Sequence, residues 1–137
     1  MQVLYPVFAM FLLTTVVAFR LGGMRYAAVK KRTVDARYYR AYRDYEEPEH
    51  LRVLSRHLIN LFEQPVLFYL GIVIAYMTGQ TGVALVAVAW IFVLFRYLHS
   101  YIHLTSNVVI WRFRVFILSW LALVAFWALL FVNLVSK

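Results

Sequence analysis

"QPVLFYLGIVIAYMTGQTGVALVAVAWIFVLF", residues 64–95, contains no charged side chain. A helix crosses the hydrocarbon core of a bilayer with about 20 residues, so this run is too long for one span. "TGQTG" at 78–82 divides it, because two glycines among polar residues read as a tight turn. The stretch therefore reads as two apolar helices that run antiparallel through a membrane.

Working outward, residues 3–19 are uncharged and reach spanning length when continued through Leu21, and residues 115–136 make a last span. The fold class that follows is an all-α integral membrane protein. Its single domain, residues 1–137, is a bundle of four transmembrane helices at about 3–21, 49–77, 83–105 and 112–135. Composition agrees: the chain is 64% hydrophobic with a mean hydropathy of +0.74, more apolar surface than a soluble domain of 137 residues can bury. Absence of cysteine excludes disulfides, thiolate nucleophiles and cysteine metal sites. "MQVLYPVFAM" lacks a basic segment ahead of the apolar run, so the first helix is expected to stay uncleaved. No internal repeat and no low-complexity segment is visible.

The segment between the first two spans, about 22–48, is a long basic loop. Across residues 20–56 ten Lys or Arg stand against five acids. With four spans, this loop and the corner "HLTSNVVIWR" (103–112) lie on one side, where Arg112 and Arg114 add to the excess. The other side has Lys137. The positive-inside rule then places the loop and corner in the cytoplasm and both termini outside, as expected for a bacterial inner membrane. Interleaved tyrosines (Tyr26, Tyr38, Tyr39, Tyr42, Tyr45) suit a loop lying on anionic headgroups, and the acids among them argue against nucleic acid as a partner. Within "EEPEHLRV", Pro48 reads as a first helical residue with Glu49 in the first turn. Pro65 deprives Leu61 of its backbone donor and is expected to kink that helix near Glu63.

Two polar stripes interrupt the apolar pattern. Arg56, Asn60 and Glu63 fall within about a 60° arc of one helix, and Arg96, His99, His103 and Asn107 within about an 80° arc of the next. Glu63 is the sole acid after position 49. A charge at mid-bilayer costs roughly 2.5–3.5 kcal/mol on insertion scales, so such groups must meet each other, water or a ligand. In one reading Glu63 pairs with Arg56 or Arg96 and the stripes join helices. In the other they form a pocket for a small zwitterion with more acid than amine, since arginine forks bind carboxylates and a glutamate takes an ammonium. His57 and His50 read as ordinary polar positions. "HSYIH" sets His99 and His103 four residues apart, a spacing that can clamp a metal with Glu63 as third ligand, but Arg56 and Arg96 crowd the site and no metal is assigned.

"RHLINLFEQP" (56–65) and "RYLHSYIHLTSNVVIWRFRVF" (96–116) resemble the second helix, and the third helix with its following corner, of the MAPEG family, the membrane-associated proteins in eicosanoid and glutathione metabolism. The prokaryotic branch is the nearest in character, and the layout of four spans with a long first loop extends the resemblance over the whole chain. The resemblance implies a homotrimer that binds glutathione, as co-substrate, between subunits at the cytoplasmic helix ends. Carried over by position, the ligand-binding residues are Arg25, Arg56, Asn60, Glu63, Arg96, His99 and His103. Arg112 would stabilise the thiolate catalytically, with Arg114 as the alternative. The thiolate would attack a lipophilic electrophile or hydroperoxide arriving from the bilayer, in a glutathione transferase or peroxidase reaction. Two departures bear on activity. His103 stands where several thiol transferases of the family carry Tyr, and a single residue separates Glu63 from Pro65 where better-known members have more. The competing expectation is a non-catalytic membrane scaffold or accessory subunit that uses the stripes for assembly.

Overall fold

Gly79 marks the turn on which the fold depends. In the computed structural model, which describes residues 1–42 and 47–136, its φ is +71° and it follows a helix, α3, over Glu49–Met77. The Gln80 N–H reaches back to the Ala75 carbonyl at 2.7 Å and the Gly79 N–H to Tyr76 at 3.2 Å. This doubly bonded cap needs a left-handed residue, which glycine supplies without a Cβ clash. The chain then re-enters the apolar layer as α4, Val83–Leu104.

The other helices are α1 (Tyr5–Lys30), preceded by a short 3₁₀ turn at Gln2–Leu4, a single-turn α2 (Tyr38–Ala41), and α5 (Val109–Val135). Four of them, α1, α3, α4 and α5, are long and apolar enough to cross a membrane. Three boundaries differ from the sequence expectation. α1 runs on past residue 21 to Lys30, because "RLGGMRYAAVK" remains helix-competent although it is too polar to lie in hydrocarbon. The segment expected as an irregular loop from 22 is thus helical at its start. α5 begins at Val109 rather than 112. Pro48 is the residue preceding α3, not its first, and its carbonyl accepts from Leu51 and Arg52 at 2.9 and 3.0 Å. α3 continues unbroken through Pro65. Arg43, Asp44, Tyr45, Glu46 and Lys137, counted above, lie outside the described residues.

Packing follows helical periodicity. α4 and α5 form the most extensive pair, and α3 packs against α1, α4 and α5. At the centre Phe68 (α3) stacks on Phe92 (α4) with centroids 4.4 Å apart, and Phe126 (α5) lies 6.0 Å from Phe68. All three rings are fully buried. Gly71 lets α3 approach α5 closely: a Cβ there would come 2.7 Å from the Phe126 ring. Outward-facing Phe8, Phe11, Phe62, Leu70, Leu121 and Phe131 remain exposed, as expected for side chains that meet acyl chains rather than water.

Beyond α1 the chain folds back. Arg25 on α1 donates from Nε to Glu47 at 3.1 Å and from Nη2 to the Ser55 hydroxyl at 2.9 Å, while Ser55 donates to the other Glu47 oxygen at 3.2 Å. Tyr39 donates to Glu47 at 3.2 Å and lies under the Arg25 guanidinium at 5.0 Å. Burial, reinforced by the Glu47 carboxylate, pushes the Tyr39 hydroxyl up to about 12, so it remains a donor at neutral pH. This cluster pins the returning loop across α1 and α3.

Candidate functional site

Three helix termini meet at one end of the bundle: the start of α3, the end of α4 and the start of α5. Between them lies a cavity of about 730 Å³. α3 contributes Glu49, Arg52, Val53, Arg56 and Asn60 at successive turns of one face. α4 contributes His99 and His103, and α5 contributes Val109, Arg112, Phe113 and Phe116, with Asn107 at the corner between them. Five of the sequence-selected residues, Arg56, Asn60, His99, His103 and Arg112, therefore line one space. Of the two corner arginines, Arg112 lines the cavity, whereas the Arg114 guanidinium stacks 5.0 Å over the exposed Trp111 ring.

Three selected residues lie elsewhere. Arg25 is held by Glu47 and Ser55. Arg96 is completely buried, donating from Nη1 to Gln64 Oε1 at 3.0 Å and from Nη2 to the Asn60 carbonyl at 3.1 Å. Gln64 Oε1 also accepts from Ser119 at 2.9 Å, so Arg96, Gln64 and Ser119 join α4, α3 and α5 inside the bundle. The cause is reach: from one turn above His99, the long arginine finds amide and carbonyl acceptors before it finds a carboxylate. Glu63 is exposed and makes no ion pair or hydrogen bond among the described residues, although it acts electrostatically on Arg96. The expected pairing of Glu63 with Arg56 or Arg96 is not formed within the chain.

Sequence reasoning missed His57. It is fully buried, its Nε2 lies 2.7 Å from the Ser100 hydroxyl, and its ring centroid is 4.9 Å from His103 and 5.7 Å from His99. The signal was present. Leu51, Leu54, Leu61, Phe68, Ile72 and Ala75 are among the buried apolar positions of α3, and His57 and Gln64 continue their i+3/i+4 register. Judged against the Arg56 stripe alone, His57 looked peripheral; judged against the core stripe it is central. Nδ1 atoms of His57, His99 and His103 are buried without a hydrogen-bond partner among the described residues. Among the described residues, no group of three His, Asp or Glu side chains is placed to hold a metal ion.

Two further spaces flank this cavity. A chamber of about 410 Å³ shares Glu49, Val53, His103 and Asn107 with it, and Arg20, Met24 and His50 are among its other walls. A larger groove of about 1010 Å³ between α1 and α3 is almost wholly apolar, walled by Phe8, Phe11, Phe19, Leu61, Phe62 and Tyr69. It has volume but no chemistry, so the polar cavity is the candidate site.

Searches of curated proteins and of solved structures return no match. The family model described as "MAPEG family" does match, over residues 3–132 of 137. That span takes in α1, α3 and α4, all but the last three residues of α5, and every residue lining the polar cavity, and the chain belongs to the MAPEG family.

Proposed function

We propose that this membrane protein binds glutathione in the polar cavity and uses its thiolate against lipophilic substrates, as a transferase or peroxidase. The observation that carries the reading is the gathering of Arg56, Asn60, His99, His103 and Arg112 around one space. Its volume of about 730 Å³ falls within the roughly 300–1,000 Å³ usual for small-ligand pockets. The donor set suits the ligand. Arg52 and Arg56 complement two carboxylates, Glu49 is the carboxylate in the wall that can take the ammonium, and the His99 and His103 rings in the wall add further polar groups. Arg112 beside the sulfur would favour the ionised thiol. In the transferase reaction the thiolate forms a C–S bond to an electrophilic carbon, the leaving group departs with the bonding pair, and the thiol proton passes to water. The apolar groove between α1 and α3 opens toward acyl chains and suits a lipophilic substrate or a lipid tail.

Assembly as a homotrimer belongs to the same reading. Glu63 stands on an exposed face of α3 beside Ile59, Phe62 and Val66, where an unpaired carboxylate is costly in hydrocarbon. A neighbouring copy would provide its cation and bring Glu63 to a shared site. We place the basic loop in the cytoplasm of a bacterial inner membrane, from the charge distribution.

Calorimetry with glutathione on detergent-purified protein tests the reading. Wild type is expected to bind, and Arg56→Ala to weaken binding tenfold or more, corresponding to loss of a charge-assisted hydrogen bond of about 1.5–3 kcal/mol. A second reading, a non-catalytic scaffold, is favoured by the internal commitments of Arg25 and Arg96. It prevails if millimolar glutathione gives no heat and no thermal shift while Glu63→Gln dissociates the assembly.

A further inference from the structure

Asn107 occupies the corner between α4 and α5 with a left-handed backbone, φ +47°. Its N–H closes the end of α4 on the Ile102 carbonyl at 2.8 Å. Its side-chain Oδ1 accepts from Arg112 Nη1 at 2.6 Å, the hydrogen bond that Arg112 makes among the described residues. Both residues are half-buried, and both line the polar cavity. Asparagine is one of the few L residues that tolerate this backbone region. One residue thus serves two ends: the backbone turns the chain, and the amide grips the guanidinium one turn into the next helix.

A free arginine side chain samples many rotamers and loses up to about 2 kcal/mol of rotamer freedom when ordered. Here the ordering is done before any ligand arrives. An amide oxygen does so without neutralising the cation, which an aspartate or glutamate in the same place would. The full positive charge stays directed at the space it shares with Glu49, Arg52 and Arg56 of α3 and His99 and His103 of α4.

We propose that Asn107 is a positioning residue that holds Arg112 where it ionises the thiol of the bound substrate; the inference rests on the glutathione reading above. The test measures thiolate formation by ultraviolet absorbance against pH on the full-length protein with glutathione bound, alongside calorimetric affinity. Asn107→Gly keeps the left-handed turn and removes the amide. It is expected to leave affinity within about threefold yet raise the midpoint of thiol ionisation by about one pH unit, a tenfold loss of thiolate below the midpoint. In an Arg112→Ala background the same substitution should move the midpoint no further, because Asn107 acts through Arg112. A purely structural role would move melting temperature and leave the midpoint alone. Should Asn107→Gly fold poorly, Asn107→Asp keeps both the turn and the acceptor, and its carboxylate should raise the midpoint by offsetting the guanidinium. An unmoved midpoint in these variants, or shifts that add to that of Arg112→Ala, overturns the proposal while leaving glutathione binding standing. Absence of binding by wild type overturns both.

Discussion

Glu47 shows what a single side chain can hold. It is nearly buried and accepts from Arg25, Tyr39 and Ser55, so removing it takes from the Arg25 cation and the Tyr39 hydroxyl their common acceptor, while Ser55 keeps its bond to the Leu51 carbonyl at 2.8 Å. Exposed ion pairs contribute roughly 0–1 kcal/mol, whereas hydrogen bonds to charged groups contribute about 1.5–3. A double-mutant cycle with Arg25→Ala and Glu47→Ala, read by thermal or denaturant unfolding in detergent, is expected to give a coupling of about 1 kcal/mol. A coupling near zero would mean the pair is incidental to the loop. At this scale the sequence was readable only in part. Arg56, Asn60, His99 and His103 could be chosen because polar residues at helical spacing in an apolar chain are conspicuous, whereas Arg112 was pointed to by the family resemblance. Arg96 and Glu63 drew the same attention and Arg25 came from the resemblance, but which acceptor a long side chain reaches depends on three-dimensional neighbours such as Gln64 and Glu47. Spacing along one helix does not encode those.

Helices impose the next level of constraint, and Gly71 is the sharpest case. Nothing in "YLGIV" marks that glycine as a contact, yet α3 and α5 meet there with the Phe126 and Trp127 rings against the backbone. Gly71→Ala would improve intrinsic helix propensity by up to about 1 kcal/mol. The added methyl, 2.7 Å from a buried ring atom, instead forces overpacking that costs typically 1–3 kcal/mol. Net destabilisation, read as a lower melting temperature, is the expected outcome; a gain in stability would mean the aromatic pair shifts aside freely. Element boundaries were legible where hydropathy and backbone chemistry coincide, as at Gly79. They were not legible where the helix outruns the apolar segment, as in α1 from residue 22 to Lys30. Hydropathy reports what hydrocarbon accepts, not where hydrogen-bonded turns stop.

For the whole molecule, the four-helix architecture was the most legible feature, since a bilayer admits few solutions for long uncharged runs. Its orientation is a matter of charge, and the chain offers a clean test because it has no cysteine. Single cysteines introduced at Ala36, beyond α1, and at Thr81, in the α3–α4 turn, both exposed, should react with an impermeant maleimide from opposite sides of membrane vesicles. Position 36 is expected to label only when the cytoplasmic face is accessible. The reverse pattern would invert the topology and move the polar cavity to the outer face.

Arg32 ends α1 at φ +55°, its N–H bonded to Val29 and that of Thr33 to Ala28, in the same two-bond cap that Gly79 gives α3. A Cβ in that geometry costs roughly 1–2 kcal/mol, while a cation beside the carbonyl end of a helix recovers about 0.3–1. Folding equilibrium therefore gives this arginine little or no advantage over glycine. The difference between the two lies earlier in the life of the chain, when the insertion machinery counts positive charge to decide which flank to retain. A residue that brings the finished bundle little over glycine thus adds one positive charge beside the first span, the quantity on which the positive-inside rule acts.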